Sequence, residues 1–227
     1  MTRSTAAHAL VLDFGGPVLL TPFELRERTE HRLGLPAGTL QWHGPFAPER
    51  DEAWQQVLRG QASERDYWAA RATEFSRLTG RPHDTREFIT ALYAVEPEAF
   101  LVRPVAAELM SDARAAGRPV GVLTNDLRAF HSQEWIDQLS VLRLADVVVD
   151  ASVEGFLKPD PRIYRLIAER LGVETAAVVF VDDQPVNVNG AETVGMIGVL
   201  LDSTAPENAF AYARELLRLP QRRELAG

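Results

Sequence analysis

The chain has 227 residues, 46% of them hydrophobic, and its formal net charge at pH 7 is −8. This size is typical of one large domain, or of a domain with an insert, that buries an ordinary hydrophobic core. The negative charge argues against nucleic acid as the main partner. The sequence has no cysteine, which excludes disulfides and thiolate chemistry.

Nothing in the sequence predicts a membrane partner. No apolar run approaches the ~18 residues of a membrane span. The first apolar stretch, from Ala6 to Leu12, is too short for a secretory signal and continues directly into an acid. We therefore predict a cytoplasmic protein.

The first predicted element is a strand that ends at an acid. Apolar residues from Ala9 to Leu12 lead into Asp13, and the chain then turns at Gly15 and Gly16. A continuous apolar run favours a parallel strand that is covered on both faces. Ligands bind outside the carboxyl ends of such strands, so Asp13 is a candidate catalytic residue. A turn that merely contains an acid is the alternative at this point.

The next region, residues 21–98, contains only helical patterns. Four helices are predicted, three of them ended by glycine, and they start near residues 21, 48, 63 and 84. Trp42, Trp54 and Trp68 fall here, and we interpret them as core residues rather than as a platform for substrate. The region is predicted to be a helical insert.

From residue 100 onward, strands and helices alternate. The predicted strands cover residues 119–123, 146–149, 177–181 and 197–201, with a helix before or after each. Alternation of this kind predicts an α/β fold with a Rossmann-like, doubly wound parallel sheet. The expected domains are a core made of residues 1–20 and 99–227 and a helical cap made of residues 21–98.

Three predicted strands end in polar residues, and these ends meet at one edge of a parallel sheet. They are Asp13, the pair Thr124 and Asn125, and the pair Asp182 and Asp183, and Lys158 lies in a polar stretch before a helix. Carboxylates suit Mg²⁺, and a cation with hydroxyl donors suits phosphate. A carboxylate can also accept a phosphoryl group. The set is consistent with phosphoryl transfer through an aspartyl-phosphate.

This order of motifs resembles the haloacid dehalogenase-like hydrolase superfamily. The resemblance covers residues 8–18 and 100–201, with motifs at Asp13-Phe14-Gly15-Gly16, Leu123-Thr124-Asn125, Lys158-Pro159 and Val181-Asp182-Asp183. The insert resembles the small α-helical cap of that family. The subgroup is similar to sugar-phosphate phosphatases and to the N-terminal domain of epoxide hydrolase.

The resemblance implies a role for each motif residue. Asp13 is implied to be the nucleophile and a metal ligand, with the carbonyl of Gly15 and the carboxylate of Asp182 as further ligands. Thr124 and Asn125 are implied to hold the phosphoryl oxygens, and Lys158 to neutralise the transferred group. Asp183 and Asn187 are implied to support the site, and we expect Asn187 to orient Asp183.

Position 15 departs from the family pattern. The family's phosphatases usually carry an aspartate there as general acid and base, and Gly15 has no proton to give. Asp126, Glu154 and His43 are weak candidates for a substitute. We interpret them instead as a helix cap, a loop acid and a hydrogen-bonded loop histidine.

Three other residues receive a structural interpretation. Pro17 stands where the family usually has threonine or valine, and we interpret it as shaping the chain that leads into the cap. Arg128 and His131 follow the second motif on a helix, and we expect both at the surface.

The sequence therefore predicts an enzyme, a magnesium-dependent hydrolase of a small phosphomonoester, acting as a monomer or homodimer. Two alternatives remain. The first is a non-catalytic relative that binds a phosphorylated ligand or a protein partner. The second is a hydrolase of another bond, such as carbon–halogen. The paired acids Asp182 and Asp183, and a residue 15 that is not aromatic, distinguish the chain from the dehalogenases.

Overall fold

The computed structural model describes residues 7–93 and 96–220. Within this part of the chain there are two compact units. The first contains the segment that ends at Leu19, the segment Val102–Leu127 and the segment that begins at Leu139. The second contains Leu20–Leu101 and Arg128–Gln138. We call them the parallel-sheet unit and the helical unit.

The parallel-sheet unit is built on five parallel strands in the order β3-β2-β1-β4-β5. The strands are β1 (Ala9–Leu12), β2 (Val120–Thr124), β3 (Val147–Asp150), β4 (Val178–Asp182) and β5 (Ile197–Leu200). This confirms the predicted α/β, doubly wound fold. The second and fourth strands were predicted to end one residue earlier than they do, since Thr124 and Asp182 are the last residues of β2 and β4.

Twelve α-helices accompany the sheet in the described residues. They are α1 (Arg26–Leu33), α2 (Glu52–Leu58), α3 (Glu64–Thr79), α4 (Thr85–Tyr93), α5 (Glu98–Leu101), α6 (Pro104–Ala115), α7 (Leu127–Phe130), α8 (Gln133–Gln138), α9 (Ala151–Glu154), α10 (Pro161–Leu171), α11 (Pro185–Thr193) and α12 (Pro206–Leu216). Short 3-10 turns occur at Gly44–Phe46, Pro48–Arg50, Ser140–Leu144 and Thr175–Ala177. None of the described helices is long and apolar enough to cross a membrane.

Two pairs of helices cover the sheet. Helices α6 and α12 pack against each other and against the central strands, and α10 and α11 form a second pair. Ala9 and Val11 of β1 share a buried cluster with Ile163 and Ile167 of α10. Successive residues of a strand point to opposite faces, so Leu10 and Leu12, which are also fully buried, face the other way. This explains why β1 is apolar at every position.

The helical unit has an aromatic core. Trp42 is fully buried and packs edge-on against Phe88, and Trp68 packs against Phe23. Trp54 is half-buried and contacts Phe23 edge-on. The aromatic contacts agree with the interpretation of these tryptophans as core residues.

The observed units differ from the expected domains in the segment 128–138 and at two boundaries, because Leu20 and residues 99–101, which were expected in the core, belong to the helical unit. Residues 128–138 were expected in the core, whereas the structure groups them with the helical unit. A single helix was predicted in this segment, and the structure shows two short helices, α7 and α8. Residues 1–6 and 221–227 of the expected core lie outside the described residues.

Candidate active site

The candidate site begins at the carboxyl end of the central strand. Asp13 directly follows β1, is 7% exposed, and donates its backbone N–H to the carbonyl of Val181 at 2.9 Å. Leu12 pairs with Val181 in the register of β1 and β4. The residues that follow Leu12 and Val181 are Asp13 and Asp182, which therefore lie level at the same edge of the sheet.

Lys158 bridges these two acids. Its Nζ lies 2.7 Å from Asp13 Oδ1 and 2.6 Å from Asp182 Oδ2, and all three side chains are buried. Burial, opposed by Lys158 and reinforced by Asp182, raises the pKa of Asp13 to about 7. Burial acts to lower the pKa of Lys158, but its attraction to the two carboxylates outweighs burial and raises that pKa above its ordinary value. The arrangement places a cation directly on the candidate nucleophile.

Asn125 holds the backbone of Lys158 in place. Its Oδ1 accepts the Lys158 N–H at 2.8 Å, and its Nδ2 donates to the Lys158 carbonyl at 3.2 Å. The end of β2 is thereby tied to the loop that carries the lysine. The structure therefore shows Asn125 as a residue that positions Lys158, and contact with a phosphoryl oxygen stays a prediction. Thr124 is buried at the same strand end.

Asp182 is held by several donors besides Lys158. Its Oδ1 accepts the backbone N–H of Gln184 at 2.9 Å and the side-chain amide of Asn187 at 3.1 Å. The side-chain amide of Asn187 thus binds Asp182, whereas the sequence predicted that it orients the neighbouring Asp183. Asn187 lies in the first turn of α11, so the helix that follows β4 fixes the rotamer of the strand's last acid.

Asp183 completes a cluster of carboxylates with Asp13 and Asp182. One oxygen of each of the three residues lies within 4.8 Å of the others. Asp183 also lies against Gly16, whose φ is +91°: a Cβ at that position would come within 2.5 Å of the Asp183 carboxylate. Gly16 is therefore required by its backbone conformation and by the close approach of the acid.

A tight loop after Asp13 is closed by main-chain hydrogen bonds. Gly16 donates to the Leu19 carbonyl at 2.9 Å, and Leu19 donates to the Phe14 carbonyl at 2.8 Å. Arg103, a buried residue just before α6, donates from Nε to the Gly16 carbonyl at 2.6 Å. Arg103 was not predicted as a site residue, because nothing in its local pattern shows that it reaches a loop 87 residues earlier.

Two of the three candidate substitutes for a proton donor are engaged elsewhere. Both carboxylate oxygens of Glu154 pair with Arg170, at 2.7 and 3.0 Å. Glu154 is also the last residue of α9, not a loop residue. His43, in the helical unit, has Nδ1 2.7 Å from Arg26 and Nε2 3.1 Å from Gln41, as expected of a hydrogen-bonded loop histidine. Asp126 directly precedes α7.

The expectation that His131 lies at the surface is wrong. It is 9% exposed, stacks on Trp135 with ring centroids 4.1 Å apart, and packs edge-on against Tyr93. These contacts all lie within the helical unit, to which residues 128–138 belong. Arg128 is exposed, as predicted.

The fold is similar to that of solved hydrolase structures. A dehalogenase crystallised with an intermediate complex aligns with a TM-score of 0.60 at 22% identity, covering 93% of this chain and 97% of that one. A Bacillus subtilis protein described as a HAD-hydrolase, bound to magnesium, aligns with a TM-score of 0.66 at 13% identity, covering 94% and 100%. At these identities the similarity establishes the fold.

Curated relatives come from several organisms. Acyl-CoA dehydrogenase family member 10 of Mus musculus is 28% identical over 93% of this chain, which spans 19% of that protein. Phosphatase MT3486 of Mycobacterium tuberculosis is 39% identical over 44% of this chain and 46% of its own length. Validoxylamine A 7'-phosphate phosphatase of Streptomyces hygroscopicus subsp. limoneus is 28% identical over 74% of this chain and 84% of its own. The chain thus spans less than half of the first two relatives.

A family model describes most of the chain. The model of the haloacid dehalogenase-like hydrolases matches residues 9–195, which include Asp13, Lys158 and Asp182. The chain therefore belongs to the haloacid dehalogenase-like hydrolases.

Proposed function

We propose that the protein hydrolyses a small phosphomonoester with the help of Mg²⁺, through a phosphoryl group carried on Asp13. The observation that carries this proposal is the buried Asp13 carboxylate, which lies at the end of the central strand with the Lys158 ammonium 2.7 Å away. A buried carboxylate held beside a cation can attack phosphorus and form a covalent intermediate. Two relatives are named as phosphatases, which supports this chemistry.

The surrounding residues have distinct roles in this proposal. Lys158 keeps Asp13 ionised and offsets the negative charge of the incoming phosphoryl group. Asn125 fixes the loop of Lys158, and Thr124 offers a hydroxyl at the neighbouring strand end. Arg103 and Gly16 shape the loop after Asp13 and hold its backbone. A contact or a position in the structure supports each of these roles.

The residues also fit a magnesium ion. Asp13, Asp182 and Asp183 bring carboxylate oxygens within 4.8 Å of one another, and Mg²⁺ prefers oxygen ligands. In this proposal Asp13, Asp182 and the carbonyl of Gly15 hold the ion, and Asp183 supports them. When bound, the ion supplies positive charge that neutralises the phosphoryl oxygens. A structural neighbour described as bound to magnesium adds support.

The test is phosphate release from a panel of sugar phosphates and activated aryl phosphates, with and without Mg²⁺. We expect release that needs Mg²⁺ and that Asp13→Asn reduces by at least ~10³-fold, since the nucleophile is lost. Asp137→Asn, which makes the same change at an exposed acid of α8, is the matched control and should retain activity.

Three results would contradict the proposal. Activity that persists in Asp13→Asn would exclude Asp13 as the nucleophile. A folded protein that binds phosphate tightly but releases none from any ester would indicate the binding role. Halide release from a 2-haloacid in the absence of Mg²⁺ would indicate a dehalogenase.

A further inference from the structure

Two neighbouring glycines in the loop after the nucleophile have opposite surroundings. Gly16 has a φ of +91°, and a Cβ there would collide with Asp183. Gly15 is exposed, its φ lies outside the left-handed region, and no heavy atom lies within 4 Å of the place where its Cβ would be. The fold therefore requires glycine at position 16 and leaves room for a side chain at position 15.

Two side chains next to Asp13, those of Lys158 and Asp182, are held by ion pairs and hydrogen bonds. The ammonium of Lys158 is shared by two carboxylates at 2.7 and 2.6 Å. Asp182 accepts hydrogen bonds from Lys158, Gln184 and Asn187, as an ionised carboxylate does. Glu154 is paired through both oxygens with Arg170. Position 15 lies in the loop that follows Asp13; it is exposed, and its residue has no side chain.

This arrangement limits which leaving group can depart. Attack by Asp13 forms an Asp13–phosphorus bond and breaks the bond from phosphorus to the leaving oxygen, which takes the electron pair. An alkoxide is a strongly basic anion and needs a proton as it leaves, whereas a phenolate or an enolate is stabilised by delocalisation and does not. Water then attacks phosphorus, the Asp13 carboxylate is regenerated, and both protons of the water remain on the released dihydrogen phosphate.

We infer that the substrate is an aryl or enol phosphate, whose leaving oxygen departs as a stable anion, rather than an alkyl phosphate. The inference rests on the proposed phosphatase activity and names its substrate class.

The experiment measures kcat/KM at saturating Mg²⁺ for aryl phosphates with leaving-group pKa values from about 5 to 10, and for matched alkyl phosphates. For the wild-type protein we expect kcat/KM to fall by at least ~100-fold across the aryl series and to be at least ~10³-fold lower for the alkyl phosphates. A flat dependence, or alkyl phosphates cleaved as fast as aryl phosphates, would overturn the inference, because it would show that a proton donor is present.

A pair of variants at position 15 tests whether the missing side chain causes the steep dependence of kcat/KM on the leaving group. Gly15→Asp supplies a carboxyl group, and we expect it to flatten the dependence and raise alkyl phosphate turnover by about 10–100-fold. Gly15→Asn has nearly the same shape without the acid and should keep the steep dependence. A steep wild-type dependence that Gly15→Asp leaves unchanged would overturn the assignment to position 15. The wild-type series remains decisive if either variant fails to fold.

Failure of the inference is distinguishable from failure of the proposed function. If the protein is not a phosphatase, no ester in the series releases phosphate, or the release persists in Asp13→Asn. If it is a phosphatase of another substrate class, release depends on Asp13 and the dependence on the leaving group is flat.

Discussion

The two units of this chain both bury acidic side chains, but for different partners. In the parallel-sheet unit, Asp13 and Asp182 share one cation, and the pKa of Asp13 is raised to about 7 mainly by burial. In the helical unit, Asp51 accepts the backbone N–H groups of His43, Gly44 and Trp54 and the hydroxyl of Tyr67. Burial acts to raise the pKa of Asp51, but these hydrogen bonds outweigh it and lower the pKa.

The difference is between a carboxylate that burial destabilises as an anion and one that hydrogen bonds stabilise as an anion. A carboxylate that accepts several N–H groups is stable as an anion and fixes the loop that supplies them. Glu30 fixes a second loop of the helical unit, where it accepts the N–H groups of Gly38 and Leu40 at 2.9 and 2.7 Å. Asp13 is costly to ionise and depends on Lys158 to remain an anion. The following variants test this comparison.

The largest effect is expected for Lys158→Met. Without the cation, two buried carboxylates lie next to each other, and we expect a loss of about 3–5 kcal/mol in the free energy of unfolding. Turnover of an activated phosphate ester should fall by at least ~10³-fold, since the charge beside Asp13, the proposed nucleophile, is gone. Urea unfolding followed by circular dichroism, together with a phosphate release assay, measures both effects.

Arg165→Met provides the matched control, since this arginine is exposed on α10, the helix that follows the lysine loop. Arg165→Met should leave both the free energy of unfolding and the turnover of the phosphate ester nearly unchanged. Wild-type stability in Lys158→Met would show that the two carboxylates do not depend on the cation, and would remove the contrast between the two units.

A smaller effect, confined to stability, is expected for Asp51→Ala. The variant leaves two buried N–H groups and the Tyr67 hydroxyl without their acceptor, and we expect a loss of about 3 kcal/mol. Tryptophan fluorescence during urea unfolding is the measurement, because all four tryptophans lie in the helical unit. Asp84→Ala, at an exposed acid that accepts one N–H, should lose far less. Equal losses in the two variants would contradict the role assigned to Asp51.

The smallest effect is a pH dependence from His131. Burial, and to a lesser extent the charge of Arg86, lowers the pKa of His131 to about 3. At pH values above the unfolded-state pKa of about 6.5, His131 is neutral in both the folded and the unfolded state, and its contribution to the free energy of unfolding is complete. As the pH falls below that value, the unfolded state binds a proton that the folded state does not, and stability is lost progressively down to the folded pKa.

The measurement is the free energy of unfolding at pH 7 and pH 5 for wild type and His131→Phe, which keeps an aromatic ring but does not titrate. We expect the wild type to lose about 1–2 kcal/mol more than the variant between these two pH values. Equal losses would show that His131 takes up a proton in the folded state. Other titrating groups contribute to both proteins and cancel in the difference.

Much of the site was predictable because its residues are marked by local patterns. Strands buried on both faces are apolar at every position, so a polar residue at a strand end is conspicuous, as at Asp13, Thr124 and Asp182. Parallel pairing then places these ends at one edge. Lys158 is not at a strand end but in the loop before α10, and its role beside Asp13 was predicted through the family resemblance.

The remaining features depend on contacts between distant segments, for which the sequence carries no local signal. Arg103 reaches Gly16 across 87 residues, and Asn125 binds the backbone of Lys158 across 33. His131 lies between α7 and α8, and its burial depends on Tyr93, the last residue of α4. Periodicity places a residue on a helix or strand, but it does not identify the distant backbone group that a side chain will bind.

The solitary lysine of this sequence makes the site directly observable by spectroscopy. Growth on isotopically labelled lysine introduces one labelled residue into a chain of 227, at Lys158. Its backbone N–H donates to Asn125 and its ammonium lies between Asp13 and Asp182, so both ends of the residue report on the site. A nuclear magnetic resonance spectrum of that sample contains one amide signal, which needs no assignment and can be followed as magnesium and phosphate are added.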